Sequence, residues 1–427
     1  MTPVESVSLA AGAGKAAVHL PDSLFPLDGF TSVHDPLYVR VLVLDDGTTR
    51  IALTVIDQTS VFDEQVTRTQ EIVQRACAVA PSNCLVVASH TFSAPHVLPP
   101  DRAPRAEREK NTRLSRAVDD AVARAAAEAL RTLRPARIGS GLGSCRVAVQ
   151  RDVPTPHGWW LGADDAGPTD DGVRVIRIDG PEDHPVAVLV NYGVQPSVMN
   201  GSTTREGGRQ VTADLAGVAT ARIEERYGGG TVALFLVGAA GDQAPYLTAV
   251  RTAVGDDGTL LRTDAHEDGN VLARMLGERL GDEAARVAEG VRTAAPAAPL
   301  RVVHGRVEVP AQVPPAGLHT LRPSRRYAFI PDGTTDVPLV VARLCDCVLV
   351  GVQAELNART GTALRSASPF PATCVVTMVN GAAKYMADSD SYDRITYGAM
   401  NSRYGKGAAE SVVARIVEAL HDIHDSR

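Results

Sequence analysis

A chain of 427 residues, 44% of them hydrophobic, can bury a large core as one big α/β domain or as two to three ordinary ones. Its net charge is −7 and its 43 basic residues, all but four of them Arg, are scattered, so no basic stripe exists to neutralise phosphates and nucleic acid is excluded as the expected partner. Aromatic residues make up only 4%, which leaves few platforms for stacking sugars or bases.

The opening "MTPVESVSLAAGAGKAAVHL" has no basic region leading into an apolar run of leader length, and no later stretch reaches about 18 uninterrupted apolar residues. The expectation is a soluble, cytoplasmic protein with no membrane contact. "LYVRVLVLDDGTTRIALTVID" reads as two strands around a turn at 45–48, with Gly47 as the permissive residue. "DEQVTRTQEIVQRACAVA" has helical spacing, and a buried strand ending near His90 follows; strand, helix, strand is the signature of an α/β domain. Next come a long Ala-rich helix over 105–131, a strand pair near 173–190, a helix over 213–227, the strand "TVALFLVG" and a helix over 271–289. The segment "TAAPAAPL", 293–300, reads as a linker. Beyond it lie the strands "RVVHGRVEVPAQV", "LVVARLCDCVLVGV" and "TCVVTMV" and a final amphipathic helix over 407–421. The fold class is therefore α/β, mixed β-sheets flanked by helices, in one domain over 1–427 that divides into lobes 1–292 and 301–427 if the linker is real. Six cysteines are too few and too irregular for a disulfide framework. Alternation puts Cys345 and Cys347 on one face of a single strand, as small core residues rather than metal ligands.

Polar chemistry gathers just past the ends of apolar strands. His90 and His96 follow "CLVVAS", "NYGVQPSVMN" with Gln195 follows "PVAVLV", "GAAGDQAP" follows "VALFLV", Glu355 follows "VLVGVQA", and "NGAAKYMADSDSY" follows "TCVVTMV". Ligands in α/β proteins collect beyond the carboxyl ends of strands, so these tips are expected to share one cleft and to make the chain an enzyme. Gly238 and Gly241 permit exposed backbone N–H groups that could receive an oxyanion or carboxylate, which makes Gly241 an expected substrate-binding residue, with Asp242 orienting a neighbour. The acidic run at 388–393 reads as a solvated loop.

Six segments, in order, resemble the neutral/alkaline (non-lysosomal) ceramidases and their bacterial relatives. "VHDPLYVRVLVLDDG" followed by Asp57 resembles the family's opening strands, and "VVASHTFSAP" is similar to its "THTHSGP". "VTADLAG" resembles "SADFPG", "FLVGAAGDQAP" resembles "GAAGDVNP", "VQAELNARTGTALR" resembles "PGEFTTMAGRRLR", and "AKYMADSDSYDRITY" resembles "GYVTTREEYEEGGYE". On this resemblance the chain is expected to stop before the immunoglobulin-like C-terminal domain that complete ceramidases carry.

The resemblance implies a ceramidase-like catalytic domain and a zinc amidase whose metal is held by two histidines, a glutamate and a tyrosine. Carried over position by position, it makes His90, Glu355 and Tyr385 metal ligands and Arg151 the match to the family's "NR" position. Imidazole, carboxylate and phenolate oxygen suit Zn²⁺, and an open position lets the ion acidify water. Asp57, Arg151 and Asp242 complete the expected catalytic set. Three positions depart from the family. Gln195 stands where the second zinc histidine should fall, Phe92 replaces the second histidine of "HTH", and Ala244 replaces a position that resembles a catalytic serine. His96 is one candidate to supply the missing ligand; Gln195 is another, through its carbonyl oxygen, or else it binds substrate. Trp159 and Trp160, the only tryptophans, lie in what reads as a long loop over 151–171 and form an expected binding surface or lid. The expected activity is on a carbonyl–nitrogen bond of a small soluble metabolite, by hydrolysis or condensation. The alternative is a metal-free relative that uses the same cleft for binding or for another, biosynthetic, reaction.

Overall fold

In the first sheet, strict alternation sends one set of side chains to each face. Val39, Val41, Val43, Val86 and Ala88 pack toward helices, while Leu42, Leu44, Leu53, Leu85 and Val87 pack toward the molecule's centre. The computed structural model describes residues 8–426; the first seven residues of the N-terminal segment read for a leader lie outside them. The sheet is built from the strands Ala10–Ala17, Tyr38–Asp45, Arg50–Ile56 and Cys84–Ala88, with Arg134–Pro135 at one edge. The expected hairpin is present, Asp45 pairing with Arg50, and Arg50–Ile56 runs parallel to Cys84–Ala88. The helices Asp63–Cys77 and Arg108–Arg131 cover the outer face.

Two four-stranded sheets complete the framework. One contains the parallel pair Pro185–Tyr192 and Val232–Val237 and is backed by the helices Asp214–Tyr227 and Gly269–Gly290. The other contains the parallel pair Cys347–Val352 and Ala372–Val376 and is backed by the helices Ala358–Ala367 and Ala408–Asp425. The inner faces of all three sheets share one apolar cluster, in which Leu53, Leu189, Leu234 and Leu349 take part. Residues 375–380 tie the sheets together: Asn191 donates to the Val375 carbonyl, the Thr377 N–H donates to Val237, and Asn380 exchanges hydrogen bonds with Val86. The mixed α/β class expected from the sequence is thus observed.

Several local expectations need correction. Cys345 and Cys347 do not share a strand, because a two-residue turn with Cys345 in the left-handed region (φ 63°) separates Pro331–Leu344 from Cys347–Val352; both thiols are buried and free. The expected loop over 151–171 is largely a hairpin of Ala148–Thr155 and Gly158–Asp164. The acidic run at 388–393 folds as a short helix, Ser389–Arg394, because the Asp388 carboxylate accepts from the Ser391 N–H and caps it, and Ser391 and Tyr392 are buried. Segment 293–300 is pinned rather than free: Thr293 bonds Asp179, Ala294 bridges Ile138, and the Leu300 N–H donates to Asp46. Among the described residues, no helix is long and apolar enough to cross a membrane.

Helix Arg108–Arg131 lies against Ala10–Ala17 because that strand carries glycines where the helix backbone approaches. A Cβ at Gly12 or Gly14 would collide with the carbonyls of Ala129 or Ala125. Gly14→Val is expected to lower stability by about 2–3 kcal/mol, as overpacking does, with the denaturant midpoint as the readout. An unchanged midpoint would show that the helix can move away at no cost.

Candidate active site

Parallel strands from all three sheets end around one cleft of about 940 Å³, and the chain segments leaving five of them, Arg50–Ile56, Cys84–Ala88, Pro185–Tyr192, Cys347–Val352 and Ala372–Val376, line it. His90 leaves Cys84–Ala88 in the left-handed region (φ 66°), a conformation that turns its ring inward. Gln195 lies in the segment after Pro185–Tyr192. Glu355 and Tyr385 lie on either side of the helix Ala358–Ala367 and the strand Ala372–Val376 and are register partners in a two-residue parallel ladder, which sets carboxylate and phenol side by side.

The side chains are fitted to one another by their donors and acceptors. The Thr59 carbonyl can only accept, so the ring N–H at 2.5 Å is on His90 Nδ1, and Nε2 faces Glu355 Oε2 at 3.1 Å. Arg151 can only donate, and its Nη1 reaches Gln195 Oε1 at 2.9 Å and the Tyr385 hydroxyl at 3.4 Å. That fixes the Gln195 amide: its NH₂ points away from Arg151, donating to Glu355 Oε2 and lying 3.5 Å from the Tyr385 hydroxyl. The guanidinium also stands over the Tyr385 ring, 4.7 Å from its centre. His90, Arg151, Gln195, Glu355 and Tyr385 are all buried, each 7% exposed or less.

Burial pushes the His90 imidazole toward the neutral form, but the Glu355 carboxylate and the Thr59 carbonyl outweigh it and the net shift is upward. Burial raises the Tyr385 phenol to about 12 against the opposing pull of Arg151. The pair His90 Nε2 and Glu355 Oε2 has a gap shaped for one positive charge. In the neutral tautomer the Nε2 lone pair faces a carboxylate, and Nε2 has no well-aligned hydrogen-bond partner. A proton or a metal ion relieves that opposition. Donor atoms sharing a tetrahedral zinc at about 2.0–2.1 Å lie roughly 3.3 Å apart, and a carbonyl behind the other ring nitrogen is the usual support of a ligating histidine. His90 and Glu355 thus present a nitrogen and an oxygen at the spacing of two zinc donors, with Tyr385 next to Glu355 in the ladder. Gln195 presents N–H groups to Glu355 and does not fit as a ligand. Among the described residues no three His, Cys, Asp or Glu side chains gather in one place.

The other expected residues stand around this group in different ways. Asp242 does not face the cleft: its carbonyl accepts from the Arg151 N–H, and its carboxylate accepts from the Ala358 N–H and from Gln150, bracing the strand of Arg151 against the segment of Glu355. The oxyanion role expected of Gly238 and Gly241 is corrected, because their N–H groups donate to Tyr192 and Leu356. Gly241 is needed for approach instead, since a Cβ there would lie 2.8 Å from the Glu355 carbonyl. Asp57 accepts from buried Arg40 and from the Tyr38 N–H, away from the cleft. His96 lines the cleft, but its Nδ1 is held by Asp28 at 2.7 Å rather than joining His90. The exposed Trp pair is also corrected: Trp160 is buried edge-on against Tyr397, and Trp159 is half-buried beneath Arg394. The Thr59 carbonyl, Tyr397 and the cationic residues of the cleft mouth were not singled out from the sequence, and no local motif marks them.

Fold and site together define an α/β protein with a buried His–Glu–Tyr–Arg group at the meeting point of parallel strand ends. Two solved structures share that fold. One is described as a ceramidase complexed with C2, with a TM-score of 0.73 and 15% identity over 97% of this chain and 75% of that one. The other is the neutral ceramidase of Pseudomonas aeruginosa, with a TM-score of 0.72 and 16% identity over 97% of this chain and 74% of that one. The chain has the neutral ceramidase fold. No protein-family model and no curated relative matches the sequence.

Beside Arg151, Asp152 is buried, and burial pushes its carboxyl up to about 7 with Asp242 and Asp388 adding to the rise. The unfolded chain loses this proton near 3.8 and the folded chain near 7, so stability from this group is full below about 4 and is lost as pH rises to 7. Asp152→Asn is expected to change little at pH 4 and to stabilise by a few kcal/mol at pH 8, read from denaturant unfolding at both values. Equal effects at the two values would mean that Asp152 is ionised throughout.

Proposed function

We propose that the protein is an enzyme acting on an amide carbonyl–nitrogen bond of a small soluble metabolite, by hydrolysis or the reverse condensation, with one zinc ion held by His90, Glu355 and Tyr385. The observation that carries the reading is the opposition of His90 Nε2 and Glu355 Oε2 across 3.1 Å beside the Tyr385 phenol, at the floor of a cleft in a ceramidase fold. Bound there, the ion would polarise the amide carbonyl and make water acidic enough to attack near neutral pH. The Thr59 carbonyl keeps the His90 proton on Nδ1 and frees Nε2. Arg151 contributes a fixed positive charge at the same floor, where an amide oxygen gains negative charge during reaction. Phe92, edge-on to His90 at 4.7 Å, keeps one side of the site apolar.

A metal-free reading has its own support in Gln195, whose NH₂ already satisfies Glu355 where the family places a histidine. The two readings separate by metal content. Protein purified without added zinc is expected to carry close to one metal per chain, and His90→Ala and Glu355→Gln to lose it together with amine release from short N-acyl amines. Less than about 0.2 metal per chain, with amine release surviving strong chelators, would leave the metal-free reading standing.

Ceramide itself is expected to be a poor substrate. Phe92 and Ala244 replace polar groups of the family pattern, and losing one group that acts only in the transition state costs on the order of 10² to 10³ in rate. Ready release of sphingosine from a short-chain ceramide would contradict this. Gln195→His is expected to tighten zinc binding, because imidazole is a better donor than a carboxamide, with zinc titration as the measurement.

A further inference from the structure

The cleft carries a charge opposite to that of the chain. Against a net charge of −7, its walls hold Arg102, Arg151, Arg209, Lys384 and Arg403 and only two carboxylates, Asp332 and Glu355. Arg151 is committed to the floor, through Gln195 and Tyr385. The other four come from four separate segments and meet at the mouth. Arg102, Lys384 and Arg403 are exposed, and none has a carboxylate partner among the described residues: Arg102 lies over the Phe62 ring, Arg403 over the Tyr404 ring, and Lys384 reaches only the Asn401 amide oxygen at 3.4 Å. Arg209 is half-buried over the Phe30 ring, donates to the Asp28 carbonyl and has the Asp28 carboxylate, which His96 also engages, at 3.9 Å, so it is the one of the four that is partly compensated.

Like charges repel, and cations with no functional tie are free to spread over an acidic surface. Four brought to one concave mouth leave a positive potential that low-dielectric walls concentrate. A neutral amide gains nothing from that potential, whereas an anion does. We infer that the substrate of the amide reaction proposed above, on which this inference rests, carries a carboxylate or phosphate group on the half that remains at the mouth while its amide reaches His90 and Glu355. Arg102, Arg209, Lys384 and Arg403 set that preference, with Thr334 as a neutral donor in the same lining.

Calorimetric titration of the full chain with N-hexanoyl-L-glutamate and with its neutral counterpart, N-hexanoyl-L-glutamine amide, tests the inference. The acidic probe is expected to bind at least about tenfold tighter at low salt, with the gap narrowing at high salt as the charges are screened. The double variant Arg102→Gln/Arg403→Gln, at two exposed positions, is expected to weaken the acidic probe about fivefold and leave the neutral one unchanged. Equal binding of the two probes, binding of neither, or an unaffected double variant of unchanged melting temperature would overturn it. Amine release measured in the same samples separates the two proposals. Tight acid binding without release of glutamate supports the anion preference and removes the amide reaction, while equal turnover of both probes supports the amide reaction and removes the preference.

Discussion

Arg151 can only donate hydrogen bonds, and the polarity of the whole site follows from that. A guanidinium buried against Tyr385 turns the Gln195 carbonyl toward itself, which turns the Gln195 NH₂ onto Glu355. Glu355, held on one side by that amide, meets the His90 ring on the other, and the Thr59 carbonyl decides which ring nitrogen carries the proton. Each link is set by what its neighbour can accept or give. A buried charge without such a chain would be costly, and the cation and the carboxylate here share one set of partners.

The framework that keeps this chain in place is backbone rather than side chain. Asp242 links the strand of Arg151 to the segment that leaves Glu355, using its carbonyl for one and its carboxylate for the other. Gly241 allows the two segments to come that close. The ladder of Glu355 with Tyr385 contains only two residue pairs, yet it fixes the carboxylate and the phenol relative to each other more tightly than two loops could. Residues that look catalytic in sequence thus act one layer behind the chemistry.

Floor and mouth of the cleft differ in kind. At the floor, charged groups are buried and fixed in direction, His90 against Glu355 and Arg151 against Gln195 and Tyr385, which suits activation of a bond. At the mouth, Arg102, Lys384 and Arg403 are exposed and unpaired by carboxylate, which suits selection among solutes by charge. The Asp28–His96 pair takes His96 out of any role beside His90.

Legible in the sequence were the alternation that builds the first sheet, the amphipathic helices that back it, and the places of His90 and Glu355 shortly after apolar strands. Those features are local: a period of two or of 3.6, or a polar residue after an apolar run, is written in neighbouring residues. Sequence alone did not decide that Gln195 faces the site with its NH₂, that His96 belongs to Asp28, or that Gly238 and Gly241 spend their N–H groups on the backbone. Nor did it reveal that Trp160 is buried in a hairpin, or that Arg102, Arg209, Lys384 and Arg403 share a mouth. Each of these depends on which partner lies within hydrogen-bonding or packing distance across tens to hundreds of residues of chain. Gln195 and Glu355 are 160 positions apart, and Arg151 and Tyr385 are 234 apart. Only the packing of three sheets around one core brings them together, and the direction of every donor in the site follows from that packing.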